Sequence, residues 1–427
     1  MDVTLTLLLL FGLLLLGVPV GFAMALTGAV GLWTIIGIEG VFSVLQTAPM
    51  GQSSEYILTT IPMFVLLGYV MSAAGITEDL YRAMANWLSW LMGGLGMATI
   101  LASAVFGALS GASSAAAAGM AKIAIPNMRE HGYSDKLSGS TVAVGSTLSV
   151  LIPPSIMMIV YGAITETSIG ELLIAGLVPG ILMALLVIAS IFAWVSLQPS
   201  EAPKAFSVTW SERFRSLVPV WAPILLISVI LLLLYSGVVT PTETGAVGAL
   251  VATVLAFALR RITVREFLRA ASDAAKTTTM LLIIIIGATI FGRYLTLTRI
   301  PQDAGDLVAD LGVNRWVIMV GIMLAYFLLS MFMDELPLML LTLPITFPLI
   351  VSLGFDPVWY GVMTMLLVAM GLVFPPVGIA AFIVAGTARI DVVDVFKGTF
   401  VLIIPIMVTA VLIMVFPSIA LFLPSRL

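Results

Sequence analysis

Cysteine is absent from the 427 residues, and histidine occurs once, as His131. The first absence excludes disulfides, thiolate metal sites and cysteine nucleophiles, and the second excludes a histidine-rich metal centre. Charge is also scarce. Only 9% of residues are Asp, Glu, Lys or Arg and 61% are hydrophobic, whereas a soluble domain carries about 25% charge. A surface this apolar needs lipid as its solvent. A spanning helix takes about 20 apolar residues, which leaves room for roughly ten to twelve spans. The net charge of −4 is too small to point to a partner. The first apolar segment, Val3 to Leu16, follows Asp2 and has no basic flank, so it reads as a span and not as a cleaved signal.

Hydropathy predicts full spans near 3–17, 20–38, 57–75, 137–165, 170–196, 217–238, 243–260, 277–298, 358–386 and 397–422. Two further stretches, near 95–128 and 316–350, are too long for one span and carry a polar patch at their centres. Each is either two spans or a re-entrant hairpin. Basic residues orient the chain. Lys204, Arg213 and Arg215 form one cluster, and Arg260, Arg261, Arg265, Arg269 and Lys276 another. Two spans separate them, so both belong to the cytoplasmic side, together with Arg129, His131 and Lys136. If both long stretches are hairpins, the termini fall outside, the first hairpin opens to the cytoplasm and the second to the exterior. Segments 262–276 and 199–216 mix apolar and basic residues in the manner of interfacial helices.

An internal repeat is visible. Residues 124–154 align without gaps to 346–376. Pro126 meets Pro348, Gly132 meets Gly354, Gly139 meets Gly361, and Pro153-Pro154 meets Pro375-Pro376. All five matches are Gly or Pro, the residues that dictate backbone shape. TGAVGL at 27–32 also resembles TGAVGA at 244–249. The expected division is a first repeat over 1–200 and a second over 201–427. Each would hold five spans and one hairpin, and an odd number of spans inverts the second copy in the membrane. Inverted repeats with broken helices mark secondary transporters.

The motifs with chemical content lie in these repeats. FGALSGASSAAAAG (106–119) places Ser110, Gly111, Ser113 and Ser114 at membrane depth, where opened carbonyls and hydroxyls suit a small hard cation such as Na+. Close helix packing also favours small residues. In GSTLSVLIPPSIMMIVYG (145–162), Pro153 and Pro154 remove two amide donors, with Gly145, Ser146, Thr147, Ser149 and Ser155 around the break. FLLSMFMDELPLMLLTLPITFP (327–348) carries Asp334 and Glu335, followed by Pro337. They are the only acidic residues deep in an apolar stretch, where a carboxylate is a functional candidate by default. AMGLVFPPVGIAAFIVAG (369–386) supplies a matching break with Gly371, Pro375, Pro376 and Gly378. In TPTETGAVGA (240–249), Thr242 is placed to cap a helix and Glu243 to face its positive end.

Taken together, TTIPMFVLLGYVMSAAG (59–75), FGALSGASSAAAAG, the LIPPSIMMIVYG run, TPTETGAVGA and the FPPVG run resemble the large membrane subunit of tripartite ATP-independent periplasmic (TRAP) transporters over essentially the whole chain. The resemblance implies an all-α polytopic membrane protein. It would be an inverted-repeat, elevator-type secondary transporter with two re-entrant hairpins and two broken helices, in a bacterial inner membrane. It implies Na+-driven import of an organic acid, a periplasmic substrate-binding protein and a separate small four-span membrane subunit. By the same likeness, Ser110, Gly111, Ser113 and Ser114 would meet the break around Gly145, Ser146, Thr147, Pro153, Pro154 and Ser155 at one sodium site. Asp334, Glu335 and Pro337 would meet the break around Gly371, Pro375, Pro376 and Gly378 at a second. Substrate would lie between the hairpin tips and the broken helices. Ala112 stands where many family members carry serine, which removes a hydroxyl from this tip. Na+ is the one expected cofactor, and membrane lipid is expected around the chain; no organic cofactor and no nucleic-acid partner are expected. Two other readings compete: a self-sufficient Na+- or H+-driven carboxylate permease, and an intramembrane enzyme, for which the chain has poor ingredients.

Overall fold

In hydrocarbon a backbone must satisfy its own N–H and C=O groups, and a helix does so within one segment. The computed structural model describes residues 3–203, 208–299 and 313–426, and among these the regular structure is helical. Eight helices among the described residues are long and apolar enough to cross a bilayer. Lys204, used above for orientation, lies outside the described residues, as does the rest of 204–207 in the 199–216 segment.

The chain opens with α1 (Val3–Leu15), α2 (Val20–Ser54), α3 (Thr60–Ala73) and α4 (Ile76–Leu88). α2 runs well past the expected end at 38; Gly37, at φ 72°, interrupts it and the helix continues through a more polar stretch. α4 escaped the sequence reading because it is amphipathic and not uniformly apolar. Its Asp79 pairs with Arg261 at 2.9 Å.

Further on come α5 (Gly94–Ser110), α6 (Ser113–Glu130), α7 (Asp135–Ser146), α8 (Ile156–Thr165) and α9 (Ile169–Leu197). α10 (Trp210–Leu217), α11 (Trp221–Ser236), α12 (Pro241–Ala258) and α13 (Val264–Leu297) follow. The segment 262–276 is not a separate interfacial helix. From Val264 on it is the first part of α13, because no Gly or Pro interrupts the run into the apolar half. At α12 the cap is Thr240, not Thr242. Thr240 and Glu243 form a reciprocal capping box, since Pro241 takes the first helical position and moves the cap ahead of it. Thr242 instead turns inward, 2.6 Å from the Thr60 hydroxyl of α3.

The last helices are α14 (Arg315–Ser330), α15 (Glu335–Ser352), α16 (Pro357–Gly371), α17 (Ile379–Ala388) and α18 (Val392–Val415). Both long apolar stretches are hairpins. Thr99 donates to the Met128 sulfur across α5 and α6, and the Phe106 ring lies over Gly119. Tyr326 meets Thr342 and Thr346 across α14 and α15, and Arg315 donates to the Leu353 carbonyl. These pairings are antiparallel about turns at 111–112 and 331–334. Both predicted broken spans are interrupted: α7 and α8 are separated by 147–155, and α16 and α17 by 372–378. Each proline pair there contains a cis peptide bond.

The gap-free register of 222 residues extends into the hairpins. α6 and α15 are both 18 residues long and start at register mates, Ser113 and Glu335. Past the breaks the offset grows by one residue: α8 and α17 are both 10 residues and end on left-handed residues, Glu166 and Arg389.

α2 and α13 cross at backbone distance. A Cβ on Gly287 would lie 2.0 Å from the Gly21 carbonyl oxygen, and one on Gly28 2.8 Å from the Phe291 Cα. Small residues are what allow such an approach in membranes. Gly287→Val is therefore expected to lower the thermal unfolding midpoint of the purified protein, since overpacking costs about 1–3 kcal/mol. Gly51→Ala, where a Cβ meets nothing within 4 Å, should not lower it in the same denaturation measurement, since alanine favours a helix over glycine.

Candidate functional site

Each hairpin turn is shaped by its sequence. Gly111, at φ 66°, ends α5, and Ala112 is extended. A Cβ on Gly111 would also strike Ile156 at 2.6 Å, so glycine is required there for conformation and for space. In the second hairpin Asp334 caps α15, accepting from the Glu335 N–H at 2.9 Å.

The two tips meet. Glu335 is 2% exposed. Its Oε2 accepts from the Ser113 hydroxyl at 2.7 Å and its Oε1 from the Ser113 N–H at 3.2 Å. The Ser114 hydroxyl stands 3.5 Å from Asp334 Oδ2. The Glu335 carboxylate thus occupies the N-terminus of α6, where unpaired N–H groups and the helix dipole favour negative charge. Ser113 also binds its own half, with its Oγ 3.1 Å from Ser149 Oγ.

The expected first set is partly assembled. Ser113 reaches the first break through Ser149, and Gly111 packs on Ile156 at the start of α8. Ser155 caps α8 and donates to the Val150 carbonyl, bridging the interruption. Pro153 and Pro154 are buried beside it. Ser110, Ser146 and Thr147 donate back to Gly107, Ala143 and Val144 on their own helices, and Gly145 packs on Ser103. The hydroxyls that bond beyond their own helix at this tip are those of Ser113, Ser114 and Ser149.

The second set is divided. Asp334 and Glu335 face the opposite hairpin, and Pro337 is buried in the first turn of α15. The second hairpin meets the second break at the predicted Gly371 and Gly378, but through hairpin residues the sequence reading did not single out. Ser330 donates to the Leu367 carbonyl at 3.3 Å, and Gly371 is bare enough for Ser330 to lie against its backbone. The Gly378 N–H donates to the Met331 carbonyl at 3.2 Å. Pro375 is half-buried and Pro376 exposed. A signal for Ser330 was present, a lone hydroxyl in FLLSMFMDE, but it is masked by the two carboxylates that follow.

The donors around the tips are hydroxyls, carbonyls and carboxylates. Oxygen donors of this kind suit hard cations, and among the described residues no group of three or more His, Cys, Asp or Glu gathers.

Paired hairpins meeting beside two interrupted helices, in a chain whose solvent is lipid, define a polytopic membrane protein of the secondary-transporter kind. Comparison with known proteins agrees. The structure of the Alcanivorax borkumensis YdaH transporter shares the fold, with a TM-score of 0.59 and 13% identity over 90% of each chain. The chain belongs to the family described as tripartite ATP-independent periplasmic transporter, DctM component, whose model matches residues 7–419. It is 31% identical to the sialic acid TRAP transporter large permease protein SiaM of Vibrio cholerae, covering 97% of this chain and 96% of that one. It is 32% identical to the C4-dicarboxylate TRAP transporter large permease protein DctM of Pseudomonas aeruginosa, with 92% and 94% covered. The ectoine TRAP transporter large permease protein TeaC of Halomonas elongata is also 32% identical, with 97% of both covered.

Ser113→Ala removes a hydroxyl partner from the buried Glu335 and from Ser149. It is expected to destabilise the purified protein by about 1–3 kcal/mol in chemical denaturation, and unchanged stability would show that the tips are not energetically joined there.

Proposed function

We propose that this chain is the large permease of a Na+-coupled importer of a small organic acid. A periplasmic binding protein delivers the substrate, a small four-span membrane subunit completes the complex, and the transport elements move by an elevator mechanism in a bacterial inner membrane. The observation that carries the reading is the meeting of two oppositely opening hairpin tips through Ser113 and Glu335. Irregular backbone at membrane depth is tolerated where it is buried in protein or lines a polar cavity, and here it gathers oxygen donors at one place.

Residues 1–200 and 201–427 act as the two inverted repeats. The basic loops face the cytoplasm and both termini the periplasm. One cation takes the hydroxyls and opened carbonyls of Ser110, Gly111, Ser113 and Ser114 with the break from Gly145 to Ser155. A second takes the tip around Asp334 and Glu335 with the break from Gly371 to Gly378, joined by Ser330 and the Met331 carbonyl. The glycine-mediated crossing of α2 and α13 supports a rigid scaffold against which hairpins and broken helices move as a unit.

In proteoliposomes holding the membrane complex, with binding protein added, organic acid uptake should follow an inward Na+ gradient. Equal uptake with K+ in place of Na+ overturns the coupling. Ser110→Ala combined with Ser113→Ala should raise the half-saturating Na+ concentration about tenfold, and an unchanged Na+ titration removes these hydroxyls from the site. Asp334→Ala should reduce Na+-dependent uptake while the complex still assembles, and wild-type uptake excludes its role.

A further inference from the structure

The charges of α13 fall in two places. A mixed-sign group near its start ends at Lys276, and the next charge is Arg293; the intervening TTTMLLIIIIGATIFG holds no Asp, Glu, Lys or Arg. The helix rises about 26 Å between Lys276 and Arg293, close to the roughly 30 Å of a hydrocarbon core. With Lys276 among the basic residues of the cytoplasmic face, Arg293 stands at the headgroup level of the opposite leaflet. Trp33, which is exposed, marks the same level. It lies just past Gly31, which packs against the ring of Tyr294, and indoles collect at membrane interfaces.

Arg293 lies in a pocket between two helices. α2 is interrupted at Gly37, and its second part returns beside α13. There Thr47, Ala48, Gly51 and Gln52 enclose, with Thr289 and Arg293, a cavity of about 410 Å³. The Thr47 and Thr289 hydroxyls donate to the Ser43 and Ile285 carbonyls of their own helices. The side-chain donors left to a ligand are the Arg293 guanidinium and the Gln52 amide. Arg293 is exposed and pairs with no carboxylate among the described residues. Glu55, just past the end of α2, lines the larger adjoining cavity of about 1210 Å³ and not this one.

A cation at this depth calls for a counter-charge, and a guanidinium fork matches two oxygens of a phosphate. The bilayer itself places a phosphate diester at this level. Its acyl chains would find apolar surface on the same two helices, where Phe42, Leu45 and Leu297 are exposed. We propose that this cavity is a phospholipid site: the Arg293 guanidinium and the Gln52 amide hold the phosphate of one outer-leaflet lipid, and the lipid pins the returning part of α2 against α13. The site depends on the chain's residence in the membrane and not on the transport reading above.

The test is lipid retention by the purified full-length protein, read by native mass spectrometry. The wild type should keep one phospholipid, and Arg293→Gln should weaken its binding about tenfold or more. Arg293→Lys, which keeps the charge and loses the fork, should fall between them. Arg426→Gln, at an arginine stacked 4.3 Å from its own Phe422 ring, should retain lipid as the wild type does. Added to delipidated protein, phosphatidylglycerol and phosphatidylethanolamine share the phosphate diester and should both raise the thermal unfolding midpoint. A glycolipid with the same chains and no phosphate should raise it less, and the difference should vanish in Arg293→Gln. Equal protection by inorganic phosphate assigns the cavity to a free anion and overturns the lipid. Equal retention by wild type and Arg293→Gln overturns the site. Lipid lost whenever a second membrane subunit is present makes the cavity a protein contact, which overturns it as well.

Discussion

At the centre of the molecule a buried carboxylate is held by the first turn of a helix from the other half of the chain. Glu335 bonds both the N–H and the hydroxyl of Ser113, and this contact joins two hairpins that approach from opposite faces. Much of the surrounding architecture follows from the cost of keeping it dry and satisfied. Gly107 and Gly111 let Ser149 and Ile156 close in on the first tip, and Gly371 lets Ser330 close in on the second break. Each small residue serves the same end, bringing irregular backbone close enough that its polar groups find protein partners in the absence of water.

The two layers of helices answer different demands. α2 and α13 are locked by contacts between backbones, with Gly21, Gly28 and Gly287 at the crossing. The hairpins and interrupted helices are packed through buried apolar residues and joined in addition by hydroxyls and carbonyls: Ser113 to Ser149, Ser330 to Leu367, Gly378 to Met331, and Tyr161 to the Pro357 carbonyl. The large cavity lies where α13 faces α8 and α15.

Much of this was legible in the sequence, and the reason is chemical. Gly and Pro act on their own backbone, so their matches at an offset of 222 residues carried the interrupted helices without any knowledge of packing, while the extension of that register to the hairpin tips came from the structure. Hydropathy located the membrane stretches but could not separate two spans from a hairpin, because both bury the same number of apolar residues. α4 was missed for the converse reason: its apolar face is too narrow to raise the local average. The partner of Glu335 was least legible. The family likeness pointed Asp334 and Glu335 toward the break at Gly371 to Gly378, whereas the tertiary fold turns them toward Ser113 and Ser114. Nothing local encodes a contact between register mates from opposite halves.

That contact has a consequence for how the repeat diverged. Where two halves are related by a twofold operation, a residue on the axis meets its own equivalent, and a pairing of i with j is matched by j with i. Ser113 and Glu335 are register mates that touch, as residues on such an axis would. Two glutamates there would repel, and two serines would hold neither a charge nor a cation strongly. A site at the axis therefore requires the copies to differ in chemistry while keeping the same backbone. The neighbouring positions diverge likewise. Ser114 faces Asp334, while the corresponding pair, Ala112 and Leu336, is apolar. Polar function has been concentrated on one side of a backbone that remains symmetric, and the direction of that asymmetry distinguishes this tip pair from a merely self-complementary joint.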